Sequence, residues 1–225
     1  MIFFTLACVS KELDSADVLI QTELSGYVTE LLGGEGTEDV SVCSTECATT
    51  DGDGFYRLIS ESSDPQRSLV MSGEDLVSGL VPVLATPPSQ TVPNVSLVSP
   101  VLIEAQMGMV DLTWTDGTGM LVFSISNGIF GDGVNVPDIV LSTDDDIGDG
   151  PFYTNTQGLP STALTQTSAH GGGVWLNLPP GTHTFTPSNL PAGCTLLIGW
   201  GTVEAIEIPI LSDHITFMRA ECAES

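Results

Sequence analysis

Apolar and polar residues alternate along this chain in short runs, closed by glycine, proline or aspartate. Val40-Ser41-Val42-Cys43 alternates as a half-buried strand does, and Cys47-Ala48-Thr49-Thr50 returns past a Ser44-Thr45-Glu46 hairpin tip. Residues 24–29, 55–59, 68–71 and 80–83 complete a first set of predicted strands. A second set repeats the plan with longer loops, over 120–125, 136–141 and 172–178. It returns to Phe185 through Pro179-Pro180-Gly181 and ends on a strand over 215–218. Val101, Leu102, Ala105 and Met109 fall at helical spacing, and Pro100 suits a helix start, so 100–109 is a predicted short helix. Between the sets, Pro87, Pro88 and Pro93 break the chain. The pattern predicts an all-β protein, two tandem antiparallel β-sandwiches joined by a Pro-rich linker and a short helix. The units run over 20–99 and 117–225, with a polar tether over 1–19 and the linker helix within 100–116. Contacts from 84–100 between the units are expected to be few, because Pro-rich segments are semi-rigid spacers. The likeness of the halves reads as an internal duplication.

Composition supports packed cores and narrows the partners. Of 225 residues, 41% are hydrophobic, which is ample for buried sheets. Against 29 acidic side chains stand Lys11, Arg57, Arg67 and Arg219, a net charge of −25. Nucleic acid is excluded as a partner, because phosphate binding needs basic side chains. An anionic membrane surface repels such a chain. The acidic surface reads as a solvated face that keeps copies apart. Beyond the N-terminus, no stretch is apolar for the 18 or more residues a membrane helix requires.

Five cysteines sort as one plus two plus two. Cys43 and Cys47 flank the hairpin tip, and Cys194 and Cys222 bracket the last segment. These four are expected to pair in that order, in an oxidising compartment. Cys8 is left over. It follows Phe3-Phe4-Thr5-Leu6-Ala7, a run that resembles the tail of a bacterial lipoprotein signal. That resemblance implies lipidation at Cys8 and a membrane contact through the anchor alone.

The stretch Thr49-Thr50-Asp51-Gly52-Asp53-Gly54-Phe55-Tyr56-Arg57-Leu58, after a Gly26-Tyr27-Val28 strand and Val40-Ser41-Val42, resembles the carboxypeptidase regulatory-like domain. The resemblance covers residues 20 to 99 and implies a transthyretin-like β-sandwich. The cysteine pair across the preceding hairpin is similar to that of secreted bacterial versions. Asn177-Leu178-Pro179-Pro180-Gly181-Thr182 carries a related prealbumin-like resemblance into the second unit. The peptidase domain that accompanies such modules is absent from this sequence. The resemblance therefore implies an accessory module and no enzyme.

Candidate chemistry is sparse. Asp144, Asp146 and Asp149, with glycines between them, could offer carboxylates to calcium, the one cofactor considered. The EF-hand spacing fails there, since its sixth position is Asp149 and its twelfth Asn155. His170, His183 and His214 have no partners at metal-ligand spacing. No Gly-x-Ser-x-Gly elbow offers a nucleophile. Trp175 and Trp200 read as core, and Trp114 as the tryptophan expected to face solvent. The sequence thus reads first as a non-enzymatic structural or interaction protein of the bacterial envelope, an outer-membrane lipoprotein or a secreted protein. Its partners would be an envelope or extracellular protein or a glycan. The second reading is a calcium- or carbohydrate-binding adhesin-like module, and the third a hydrolase.

Overall fold

The computed structural model describes residues 19–31, 34–127, 134–143 and 146–223. The first half supplies β1 (Ile20–Glu30), β2 (Ser41–Cys43), β3 (Cys47–Thr49), β4 (Phe55–Ser62), β5 (Gln66–Ser72), β6 (Gly79–Leu84), β7 (Ser89–Thr91) and β8 (Val95–Leu97). Two sheets face each other here. One runs β4-β1-β7, with β8 continuing along the same edge of β1, and the other runs β6-β5-β2-β3. Inward positions of β1, β4 and β5 alternate as the pleat demands, and Leu24, Val28, Tyr56, Leu58, Leu69 and Met71 fill the space between.

The Pro-rich stretch expected as a linker also builds this sandwich. Its β7 and β8 pair in parallel with β1, and Val92, Val95 and Leu97 are buried in the same core. Proline removes a ladder donor, so prolines here stand beside the short strands and not within them.

Helix α1 (Pro100–Gly108) follows. Its buried side chains are Ile103 and Met107, while Val101 and Met109 are exposed. The expected stripe of Val101, Leu102, Ala105 and Met109 is therefore not the one that packs. The helix is apolar on most sides, so its neighbours choose the face. Nine residues are marginal as an isolated helix. Burial against Met120, Val174, Leu176 and Ile215 holds it on the outer face of the next sheet.

The second half supplies β9 (Gly119–Asn127), β10 (Val134–Asn135), β11 (Val140–Thr143), β12 (Asp149–Thr154), β13 (Pro160–Ser161), β14 (Gly172–Leu178), β15 (Gly181–Ser188), β16 (Thr195–Ile198), β17 (Trp200–Thr202), β18 (Ala205–Ile210) and β19 (Ile215–Cys222). Sheet β13-β12-β14-β9-β19 faces sheet β11-β15-β18-β17 across a core that includes Phe123, Tyr153, Trp175 and Phe185. The run over 136–141 is interrupted. Pro137 and the left-handed Asp138, at φ 67°, delay the strand to Val140.

The large sheets of the two halves are continuous. Strand β19 pairs in parallel with β9 along its whole length, and Ile215 and Thr216 pair in parallel with Gly79 and Leu80 of β6. The architecture is all-β, of sandwich type, with one short helix, and the halves share a sheet.

Two buried tyrosines separate the contributions of burial and hydrogen bonding. The Tyr56 hydroxyl is buried and has no hydrogen-bond partner among the described residues. The Tyr153 hydroxyl accepts from the Leu141 amide at 3.0 Å. Tyr56→Phe should leave stability unchanged or raise it, because an unpaired buried hydroxyl costs free energy. Tyr153→Phe should cost about 1–3 kcal/mol by orphaning the Leu141 amide. Burial also raises the Tyr56 pKa above the usual 10.0. The folded phenol keeps its proton where the unfolded chain has lost it. Stability is therefore full below about pH 10 and falls as pH rises beyond it. Urea titrations between pH 8 and 11 should show a smaller alkaline loss for Tyr56→Phe than for the parent.

Candidate functional site

Where the two halves meet, a cleft of about 310 Å3 opens on the outer face of the β14-β9-β19 sheet. Register sets its floor. Val174, Val122 and Phe217 lie side by side in one row, and Gly172, Ser124 and Arg219 form the next. Helix α1 covers the preceding row, which holds Met120 and Ile215. Asn94, Val95 and Ser96, beside and within β8, form the opposite wall. Thr154 and His170 stand at the polar end, with His170 Nδ1 3.0 Å from Thr154 Oγ1.

Arg219 is the cation of the cleft. Burial pulls its pKa below the ordinary value, and Glu221, two residues along the strand, offsets part of that. The guanidinium stays protonated in either case. Sequence reasoning counted Arg219 only among the bases. The available signal was the alternation Phe217-Met218-Arg219, which sends Met218 into the core and its neighbours to the other face.

The joint beside the cleft is tightly bonded. Gly199 N donates to Pro82 O at 2.7 Å, and Trp200 Nε1 donates to Arg67 O at 3.2 Å. Ile198 of β16 is buried in the first core. Gly79 lies where β6 meets β19, and a Cβ there would lie 2.8 Å from Leu97 Cδ2 and 3.1 Å from Phe217 Cε2, so those side chains pack close over it. Arg67 is 4% exposed and donates to the Ser62 and Gln66 carbonyls.

Asp144 lies outside the described residues, as does Cys8. Asp146 is exposed, whereas Asp149 accepts from Asn177 Nδ2 at 2.8 Å. Among the described residues, no group of three or more His, Cys, Asp or Glu side chains is placed to hold a metal. His183 Nε2 lies 2.8 Å from Pro179 O, and His214 Nδ1 lies 2.7 Å from Ser212 O. Trp114, expected at the surface, is half-buried. Its Nε1 donates to Thr118 O, and its ring packs on the cluster under α1. Disulfides join Cys43 to Cys47 and Cys194 to Cys222. The Asp51 turn forms as its residues dictate. Asp51 Oδ1 accepts from the Asp53 and Phe55 amides at 3.0 and 2.9 Å, and Gly54 takes φ 77°.

No protein-family model matches the chain, and no curated protein sequence matches it. Solved structures give weak likenesses. GBS52, the minor pilin of Streptococcus agalactiae, is 12% identical with a TM-score of 0.32, over 92% of this chain and 96% of that one. The shaft pilin SpaA from Lactobacillus rhamnosus GG is 8% identical with a TM-score of 0.27, over 92% and 99%. The Bacillus anthracis TIE protein is 11% identical with a TM-score of 0.29, over 92% of this chain. This chain spans 34% of the TIE protein's length.

Asn177 is a polar node between three segments. At φ 52° it accepts from Thr115 N at 2.9 Å and donates to Thr113 O and Asp149 Oδ2. It pins the 113–118 loop and the start of β12 to the end of β14. Asn177→Ala should cost about 2–3 kcal/mol, combining lost hydrogen bonds with an unfavourable left-handed backbone. Chemical denaturation measures this. A change within about 0.5 kcal/mol, the range of ordinary surface substitutions, would count against the node.

Proposed function

We propose that the chain is a non-enzymatic structural and interaction protein of the bacterial envelope or extracellular space, acting as a stiff spacer under tension. The observation that carries this reading is the position of β1 and β19 within their sheets. β1 is flanked by β4 on one edge and by β7 and β8 on the other. β19 is flanked by β9 on one edge and by β6 and β16 on the other. An edge strand peels by breaking one ladder. A central strand must break two together, which suits a fold loaded through β1 and β19.

The two disulfides favour an oxidising compartment. The Asp51 turn and its cysteine-closed hairpin support reading residues 20–99 as a carboxypeptidase regulatory-like module, with 117–225 as the second unit and 100–116 between them. A lipid on Cys8 would tether the protein at the end that leads into β1. Envelope or extracellular proteins are the partners this reading implies. The histidines favour a non-enzymatic role, since each bonds a carbonyl or hydroxyl oxygen in a different part of the fold.

The test is mechanical and thermal. The halves should melt in one transition, coincident by tryptophan fluorescence and circular dichroism. Pulled from residues 19 and 223, reduced protein should release more contour than oxidised protein. The Cys194–Cys222 loop, with a separation of 28, hides roughly 90–100 Å at roughly 3.3–3.6 Å per residue. Removing that disulfide should cost roughly 3–4 kcal/mol, and removing Cys43–Cys47 about half as much. Two separate melts, or rupture at the low force of strand peeling, would sink the spacer reading.

A further inference from the structure

His170 stands at the rim of the joint cleft, and the bonds around it fix which of its ring nitrogens is free. Thr154 has one hydroxyl hydrogen, and Thr154 Oγ1 donates it to Gly172 O at 3.0 Å. The 3.0 Å contact between Thr154 Oγ1 and His170 Nδ1 is then a hydrogen bond only with the proton on Nδ1. In the neutral ring Nε2 is left as an acceptor, and it has no partner among the described residues. The loop holds this pose. His170 N donates to Ser168 Oγ at 3.1 Å, and Ser168 Oγ donates to Thr154 O at 2.6 Å. A Cβ on Gly158 would stand 2.9 Å from Nε2, and both residues line the cleft, so this nitrogen lies at the cleft wall.

From the rim the floor runs inward in rows. Val174, Val122 and Phe217 form an apolar row, and Ile103 of α1 packs in the same cluster. Gly172, beside Thr154 in the next row, places no side chain between that row and the rim. A volume of about 310 Å3 is at the small end of small-molecule pockets, and an α-helix about 10–12 Å across does not enter it. Charge narrows the ligand further. Among the described residues that line the cleft there is no Asp or Glu to pair an ammonium, and an unpaired cation loses its hydration in an apolar site. Arg219 already has a partner in the fold, and Nε2 meets a ligand with a lone pair, so neither calls for a carboxylate. The ligand that fits is uncharged, mostly hydrocarbon, and a hydrogen-bond donor at one end. A phenol meets all three conditions. Its ring suits Phe217 and the valines, and its O–H is neutral and donates.

We propose that this cleft binds a small neutral phenol, its ring on Val122, Val174 and Phe217 and its hydroxyl donating to His170 Nε2. This site and the load path through β1 and β19 stand or fall separately.

The probes are 4-ethylphenol, its methyl ether 4-ethylanisole, and 4-ethylbenzoate. Each is titrated into the intact oxidised chain at about pH 8, where imidazole is neutral. Calorimetry, amide shifts and the imidazole nitrogen resonances follow the binding. The phenol should bind saturably and about three- to tenfold more tightly than the ether, the worth of one neutral hydrogen bond. The benzoate should bind more weakly than either. The Nε2 resonance of His170 should be that of a bare nitrogen, and it should move with the phenol and not with the ether. Amide shifts should cluster on the outer rows of β9, β14 and β19. His170→Ala should bring the phenol to within about twofold of the ether while ether binding persists. Equal affinities for phenol and ether, a proton on Nε2 with Nδ1 bare, shifts clustered elsewhere, or no saturation by millimolar 4-ethylphenol would each overturn the proposal. Should His170→Ala fail to fold, the Nε2 resonance of the parent chain decides it.

Discussion

Strand β19 serves every core of this molecule, and the rest of the architecture depends on its pairing. Its inward residues Met218, Ala220 and Cys222 complete the second sandwich. Ile215 closes the cluster beneath α1, and Phe217 packs against both that cluster and the first core. Fully buried Thr216 donates to Pro209 O across the sandwich at 3.0 Å. Proline leaves β18 without a donor at that point, and its carbonyl accepts the hydroxyl from the facing sheet. A strand with obligations on both faces and both edges cannot slip by one residue without exchanging every set.

Strand β19 is held by more than its ladders. Here the tie is covalent as well as hydrogen-bonded. Cys222 is joined to Cys194, and Ala223 N donates to Gly193 O at 3.3 Å. That crosslink also fixes β16 against β19, and β16 delivers Ile198 into the first core. One disulfide therefore steadies β19 and the joint between halves. The Cys43–Cys47 bridge is local by comparison, closing a hairpin that forms one end of its sheet.

Much of the fold was legible because its signals are local. Alternation at 40–43, the Asp51 turn and the cysteine spacing each depend on residues a few positions apart. What stayed hidden is non-local. Nothing near Gly79 announces that Phe217, more than a hundred positions away, packs over it. The Pro-rich stretch read as a spacer because its strands are three residues each and find their partner in β1. The buried face of α1 was misread because the helix is apolar on most sides. For the candidate site, the acidic loop attracted attention by composition. The cleft is composed of residues that look like ordinary strand positions until three strands are set in register.

The cleft follows from the same joint. Helix α1 is nine residues long and covers only the first rows of the sheet beneath it. The first half is fixed at the far side by β6, Gly199 and Trp200, so it does not collapse onto the rows left open. Its wall at Asn94, Val95 and Ser96 belongs to the edge of β1, a central strand. Floor, roof and wall are each held by ladders that exist for other reasons. A pocket framed in this way needs little reorganisation to stay open.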